Sequence, residues 1–283
     1  MKILIATMGP GETSQGSALA RYLSDKGILV NFLVVRKENL HFVQGIKLCK
    51  ASVCSTPSDL KTEIGSGQYD AVFLFNSKIF GKDSDFIKNA PSPKPPVFSV
   101  DSNWLFNQPE HFPYVSWLDR IFLNFPESIF AKGLAKNGGK YSIPDGVLKI
   151  IQPIGYIPSY RPLSEAEKRK TRQKIGIPEG KIIFCYLGSG VTFRKDFFGR
   201  FLDILDHYFS LFGNTNLIFC GDQKVDRPWL TKQFVDPSVS EFSRLLAASD
   251  LVFQHQGLGT LEQAICANVP VITNVPGLND DAV

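Results

Sequence analysis

The chain has 283 residues, 43% of them hydrophobic and 20% charged, with a formal net charge of +4. That length suits two domains, and the apolar content is enough for buried cores, which excludes an intrinsically disordered chain. The charge is too small to point to nucleic acid, and no apolar run reaches the roughly 18 residues that a bilayer-spanning helix needs.

Residues 2–8 (KILIATM) read as a strand leading into Gly9-Pro10-Gly11-Glu12-Thr13-Ser14-Gln15-Gly16. A helix follows with Ala18, Leu19, Tyr22 and Leu23 on one face, and Gly27 stands where a helix end takes a left-handed residue. The run 28–35 (ILVNFLVV) is the next strand, so the chain opens as a βαβ unit. Strand-like runs recur at 71–75 (AVFLF) and 96–100 (PVFSV), the second followed by Asp101. The five cysteines show no zinc-site spacing. Cys185, Cys220 and Cys266 lie in apolar runs and read as core thiols of a reducing cytoplasm, so no metal is expected.

Residues 153–162 (PIGYIPSYRP) lack helical period and read as a join. A charged helix over 164–175 follows, opened by Ser164 with Glu167 in the first turn. Its Lys168, Arg169, Lys170, Arg172 and Lys174 read as a solvated face, with anionic lipid or substrate as the alternative. A second start lies at 181–187 (KIIFCYL), followed by Gly188-Ser189-Gly190 and a helix over 196–212. The run 216–220 (NLIFC) is a strand ending at Gly221-Asp222, and 240–248 is a helix. Continuous apolar strands alternating with helices imply parallel sheets covered on both faces. The expected class is α/β, with two tandem Rossmann-like domains over 1–157 and 164–283.

The most informative stretch is 249–276, SDLVFQHQGLGTLEQAICANVPVITNVP. It reads as strand (251–253), glycine-rich turn (255–260), helix from about Thr260, and a second strand (271–273). Gly257 and Gly259 remove side chains where a ligand approaches the backbone, and Thr260 is the expected cap. Unpaired amides at the positive end of a helix form an anion site, most naturally for phosphate.

These residues resemble the donor-binding signature of GT-B glycosyltransferases, above all glycosyltransferase family 28 and the UDP-glycosyltransferases. That signature runs H-x-G-x-G-T-x-x-E-A, then G-x-P, then P-x-x-x-D-Q. His255, Gly257, Gly259, Thr260, Ala264, Pro270, Pro276 and Asp280 match it in unbroken register. The signature's acidic residue, which in the family holds the ribose hydroxyls, falls on Gln263. An amide still bonds a diol, without charge-assisted strength. Glu262 lies about 100° around the helix and does not substitute directly. Asn268 stands for the usual glycine and tolerates the same left-handed turn, while Asp281 replaces the final glutamine. Family members continue beyond the point where this sequence stops, so an incomplete C-terminal domain is expected.

The resemblance implies a metal-independent transferase with no cofactor, its substrates a nucleotide sugar, most naturally UDP-linked, and an acceptor that is a sugar, a lipid-linked molecule or a small molecule. It puts the acceptor on the N-terminal domain and the donor on the C-terminal one. Cysteine usage points to the cytoplasm, the missing bilayer-length run leaves at most a peripheral contact with the membrane, and the mild charge points to no nucleic-acid partner. Gly188, Ser189 and Gly190 are expected at the donor, or else form a plain strand-to-helix turn. Gly221 and Asp222 line the same edge, Val235-Asp236 is where the family holds the nucleobase, and His255 stands near the diphosphate or fixes the turn. The family's catalytic base falls on Glu12, otherwise a solvated loop residue. Asp101 is a second candidate, otherwise bonded within its own turn. His111 reads as structural, Asp83-Ser84-Asp85 as helix capping, and the aromatic segment from Trp104 to Trp117 as core, lid or acceptor platform. Two alternatives stay open: a sugar-nucleotide epimerase or hydrolase of the same fold, and a non-catalytic nucleotide-sugar-binding subunit.

Overall fold

A computed structural model describes residues 1–66, 68–77, 79, 94–101, 115, 118–128, 130–131, 143–157, 161–177, 179–187, 195–209, 215–221, 224–235, 239–255 and 258–274, with backbone alone at 195–197, 200, 239, 240, 255, 258 and 274. The chain divides into two compact units, Met1–Ile157 and Pro158–Val283.

The first unit holds strands β1 (Lys2–Thr7), β2 (Leu29–Val34), β3 (Cys49–Val53), β4 (Ala71–Phe75), β5 (Val97–Asp101), β6 (Arg120–Leu123) and β7 (Ile151–Pro153), with helices α1 (Pro10–Asp25), α2 (Pro57–Gly65) and α3 (Asp145–Leu148). The strands form one sheet in the order β3-β2-β1-β4-β5-β6-β7. Every pairing in it is parallel. Side chains alternate across a strand, so Leu4 and Ala6 join Val72, Leu74, Ile121 and the α2 residues Leu60 and Ile64 on one face. Ile3 and Ile5 join Val30, Phe32, Val34 and Ala20 of α1 on the other. Burial on both faces is why these strands read as unbroken apolar runs.

Local chemistry sets the helix ends. Gly27, at φ +77°, is the left-handed residue after α1. Its amide donates to Ser24 O and that of Ile28 to Leu23 O, the paired bonds that close a helix C-terminus. Gly16 lets α1 press onto the sheet, because a Cβ there would lie 2.9 Å from Thr7 Cγ2 and 3.1 Å from Phe32 Cζ.

The second unit holds α4 (Glu165–Lys174), β8 (Lys181–Tyr186), α5 (Lys195–Phe209), β9 (Thr215–Cys220), β10 (Leu230–Phe234), α6 (Val239–Ala247), β11 (Leu251–His255), α7 (Leu258–Cys266) and β12 (Val271–Asn274). Its sheet order is β10-β9-β8-β11-β12, again parallel throughout. Ile182, Phe184 and Val252 pack with Leu245, Leu246 and Ala264 on one face. Cys185, Phe219 and Phe253 pack with Phe201 and Leu205 on the other. Ser164 and Glu167 form the expected reciprocal cap of α4. Arg161 beside Glu167 holds that exposed carboxyl down at about 2. The bond therefore holds above the usual carboxylate range and is lost as pH falls through that value. Within the basic helix, Arg172 pairs with Asp250 at 2.9 Å and Lys168 with Glu165 at 3.1 Å. Arg169, Lys170 and Lys174 are left exposed.

The sequence reading missed β3, β6, β7 and β10. β3, β7 and β10 are sheet edges, where pairing on one side alone tolerates polar sequences such as CKASV and LTKQF. β7 also overlaps the predicted join, which places Pro153 in the sheet. No helix among the described residues is long and apolar enough to cross a membrane.

Candidate functional site

In open parallel sheets, ligands gather beyond the carboxyl ends of the strands, at the point where the winding order reverses. In the first unit that point lies between β1 and β4, and the residues just past it are polar and buried. Thr7, the last residue of β1, shares a 2.9 Å bond with Thr13 Oγ1, and Thr13 Oγ1 donates to Gly9 O at 2.7 Å. These bonds fix the turn that carries Glu12 in the first turn of α1.

Glu12 is half-buried, and its Oε1 accepts from Asn76 Nδ2 at 3.2 Å. Its Oε2 folds back over Gly9, where an added Cβ would collide with it. Gly9 is the N-cap residue, with an ordinary extended φ of −95° and no side chain to bond the helix. A side chain at 9 would displace the Glu12 carboxylate, while the backbone conformation itself asks for no glycine. The carboxylate thus has one oxygen held and the other without a hydrogen-bond partner among the described residues, an arrangement able to take a proton.

Asp101 is placed differently. It ends β5 at 2% exposure. Oδ1 accepts from the Ser77 amide at 2.8 Å, and Oδ2 accepts from Ser99 Oγ. These bonds run to β4's exit loop and to its own strand, while residues 102 and 103 of the turn expected from the sequence lie outside the described residues. With both oxygens engaged, Asp101 holds the strand ends at this edge together. Two neighbours gave no warning in the sequence reading. Asn76 leaves β4 at φ +92°, and Ser77 is 2% exposed with its Oγ unbonded among the described residues. The signal for both was an Asn-Ser pair directly after the apolar run AVFLF.

In the second unit the reversal lies between β8 and β11, and α7 begins just past the end of β11. The helix opens at Leu258, two residues before the expected start, which corrects the role of Thr260. It is the third helical residue and not the cap, because the chain is already helical where the cap was expected. Thr260 is 6% exposed. The amides of Leu258, Gly259 and Thr260 belong to the first turn, which has no carbonyl partners within its own helix. A Cβ on Gly259 would meet no described atom within 4 Å.

Gln263 Oε1 accepts from Ser243 Oγ of α6 at 3.2 Å, which anchors the amide sought as the ribose partner. Glu262 is 3% exposed, in keeping with its different helix face. Asn268 sits at φ +56°. Its amide bonds Ile265 O and that of Val269 bonds Ala264 O, so it closes α7 as a glycine would. Gly221, at φ +155°, donates its amide to Phe234 O and accepts at its carbonyl from Gln233. Its backbone is committed to β10. Gln254 was not anticipated either. At 1% exposure it donates to Thr273 Oγ1 at 3.2 Å, and its Oε1 is unbonded among the described residues. A glutamine inside the run LVFQH was the signal. Gly188, Ser189, Gly190, Asp222, Asp236, Gly257, Asp280, His111, Asp83–Asp85, the segment 104–114, Trp117 and the side chain of His255 lie outside the described residues. Among the described residues no group of three or more His, Cys, Asp or Glu side chains is arranged to hold a metal.

No protein-family model matches the chain, and no curated protein resembles it in sequence. Solved structures do resemble it in fold. The ADP-heptose LPS heptosyltransferase II of E. coli superposes with a TM-score of 0.54 at 14% identity, over 96% of this chain and 84% of that one. MnaA of S. aureus, solved with UDP, gives 0.62 at 14%, over 96% and 79%. MurG of Acinetobacter baumannii gives 0.54 at 14%, over 99% and 80%. The fold is GT-B. The two Rossmann-like units of that fold are residues 1–157 and 158–283, and identities of this size carry the fold alone.

Proposed function

We propose that the chain transfers a sugar from a nucleotide-diphosphate donor, most naturally UDP-linked, to an acceptor hydroxyl, without a metal or cofactor. The observation that carries this is the first turn of α7, which starts just past the carboxyl end of β11 and where a Cβ on Gly259 would meet no described atom within 4 Å. Its amides and positive end suit a diphosphate. Support comes from MnaA, solved with UDP on the same fold. Residues 164–283 take the donor role and 1–157 the acceptor role.

In this reading Glu12 Oε2 accepts the acceptor's hydroxyl proton while the acceptor oxygen bonds the sugar's C1. The C1–O bond to phosphate breaks, its electron pair leaving on the diphosphate. The α7 amides and the Thr260 hydroxyl stabilise that charge. Gln263, anchored by Ser243, bonds the ribose, while His255, Gly257, Asp280 and the 188–190 turn complete the donor site. A thermal-shift screen of nucleoside diphosphates and nucleotide sugars tests donor binding, since a ligand bound by the native state raises its melting temperature. Hydrolysis of UDP-glucose and UDP-N-acetylglucosamine, with water as acceptor, then tests turnover in the wild type and Glu12→Gln. Turnover lost in Glu12→Gln with donor binding intact supports the assignment, and an active Glu12→Gln removes Glu12 as base. The anchored neutral Gln263 favours a second reading, a subunit that binds the nucleotide sugar without turnover, and wild-type binding without hydrolysis or transfer would select it.

A further inference from the structure

We propose that Asn76 is the positioning residue for Glu12, holding one carboxylate oxygen so that the other faces the reacting hydroxyl; this rests on the reading of Glu12 as base. Asn76 and Glu12 are 64 residues apart, and the sheet alone brings them together, β4 lying beside β1. Chemistry fixes the amide's orientation, because an ionised carboxylate only accepts and the group 3.2 Å from Oε1 must be Nδ2.

The backbone is shaped for this contact. Asn76 stands at φ +92°, and among the described residues only Asn268 is another non-glycine at positive φ. Asn268 closes a helix, whereas Asn76 closes none. Such conformations are costly and persist where the surroundings over-determine them. Here the surroundings are the Asn76 amide bonded to Val100 O at 2.9 Å, the Ile79 amide bonded to Asn76 O at 3.1 Å, and Ser77 held by Asp101. Gly9 completes the arrangement by leaving Oε2 its room. Asp101 thereby acts at one remove, through the Ser77 backbone next to Asn76.

The test is a kinetic double-mutant cycle on hydrolysis of UDP-glucose and UDP-N-acetylglucosamine. Asn76→Gly keeps the left-handed backbone and deletes the amide. Asn76→Asp keeps the shape and turns the donor into a second acceptor. Both are expected to lose roughly 10- to 100-fold in kcat with donor KM within about twofold, the pattern of a misplaced catalytic group. In the Glu12→Gln background the Asn76→Gly substitution is expected to cost less than about twofold more, since its partner is already gone. Losses that multiply, a full-rate Asn76→Asp, or a rise in KM alone would overturn the proposal while leaving Glu12 as base. An active Glu12→Gln, or a wild type without turnover, would overturn the proposed function and this role with it.

Discussion

Replacing Asp101 separates a structural carboxylate from a catalytic one. Asp101, Ser77 and Ser99 are 2%, 2% and 0% exposed, so water cannot take over the bonds that Asp101 accepts from Ser77 N and Ser99 Oγ. Asp101→Ala leaves two buried donors unpaired, each costing about 1–3 kcal/mol, or about 4 kcal/mol together. Asp101→Asn keeps one carbonyl oxygen for the Ser77 amide, and the Ser99 hydroxyl can rotate to accept from the new NH2 group. It exchanges charge-assisted bonds for neutral ones at about 1 kcal/mol. For a unit of this size, about 2–4 °C per kcal/mol puts Asp101→Ala about 8–16 °C below the wild type and Asp101→Asn about 2–4 °C below it. Melting followed by circular dichroism, with hydrogen exchange at the Ser77 amide as the local report, measures both. Equal destabilisation by the two variants, or an unprotected Ser77 amide in the wild type, would refute the reasoning. So would an Asp101→Asn protein with native stability and abolished turnover, which would make Asp101 the base.

Gly9→Ala is accommodated by φ −95° but pushes the Glu12 carboxylate away. Turnover is expected to fall roughly 10- to 100-fold while the melting temperature stays within about 2 °C, and full activity would contradict the placement of Oε2. Gln263→Glu restores a charged partner for the ribose hydroxyls and is expected to tighten UDP binding about 5-fold, from a gain of about 1 kcal/mol. Calorimetry with UDP and 2′-deoxy-UDP checks it, and an equal gain for both ligands would remove the ribose contact. Burial pushes the Cys185 and Cys220 thiols well up from their ordinary value. Neither is expected to react with iodoacetamide at pH 8 until the second unit unfolds, and rapid alkylation of the native protein, read by mass spectrometry, would contradict the packing around β8 and β9.

The parts of the fold that the sequence announced are those whose side chains are buried on both faces. KILIAT, LVNFLV, AVFLF and KIIFCY are apolar without alternation because helices cover both sides. Gly27 and Asn268 were legible because a left-handed helix end admits few residue types. The start of α7 was misplaced by two residues, since a threonine after two glycines looks like a cap and only the backbone shows the helix already under way. Glu12 was singled out because the family resemblance puts its base in the first glycine loop. Asn76, its partner, was invisible because nothing local links residues 12 and 76. The pairing of β1 with β4 makes that link. The bond from Ser77 to Asp101 was equally out of reach, because it too crosses from one strand to the next.

The most direct measurement is a calorimetric titration of UDP into the wild type and Gly259→Val. A side chain at 259 meets no described protein atom within 4 Å, and valine costs a helix no more than glycine does. The variant should therefore fold as the wild type does and lose only what the ligand needs. One saturable site in the wild type, weakened at least about 10-fold in Gly259→Val at equal melting temperature, is the predicted result. Equal affinity in the two proteins, or no UDP binding in the wild type, would contradict the claim that the first turn of α7 holds a nucleotide diphosphate.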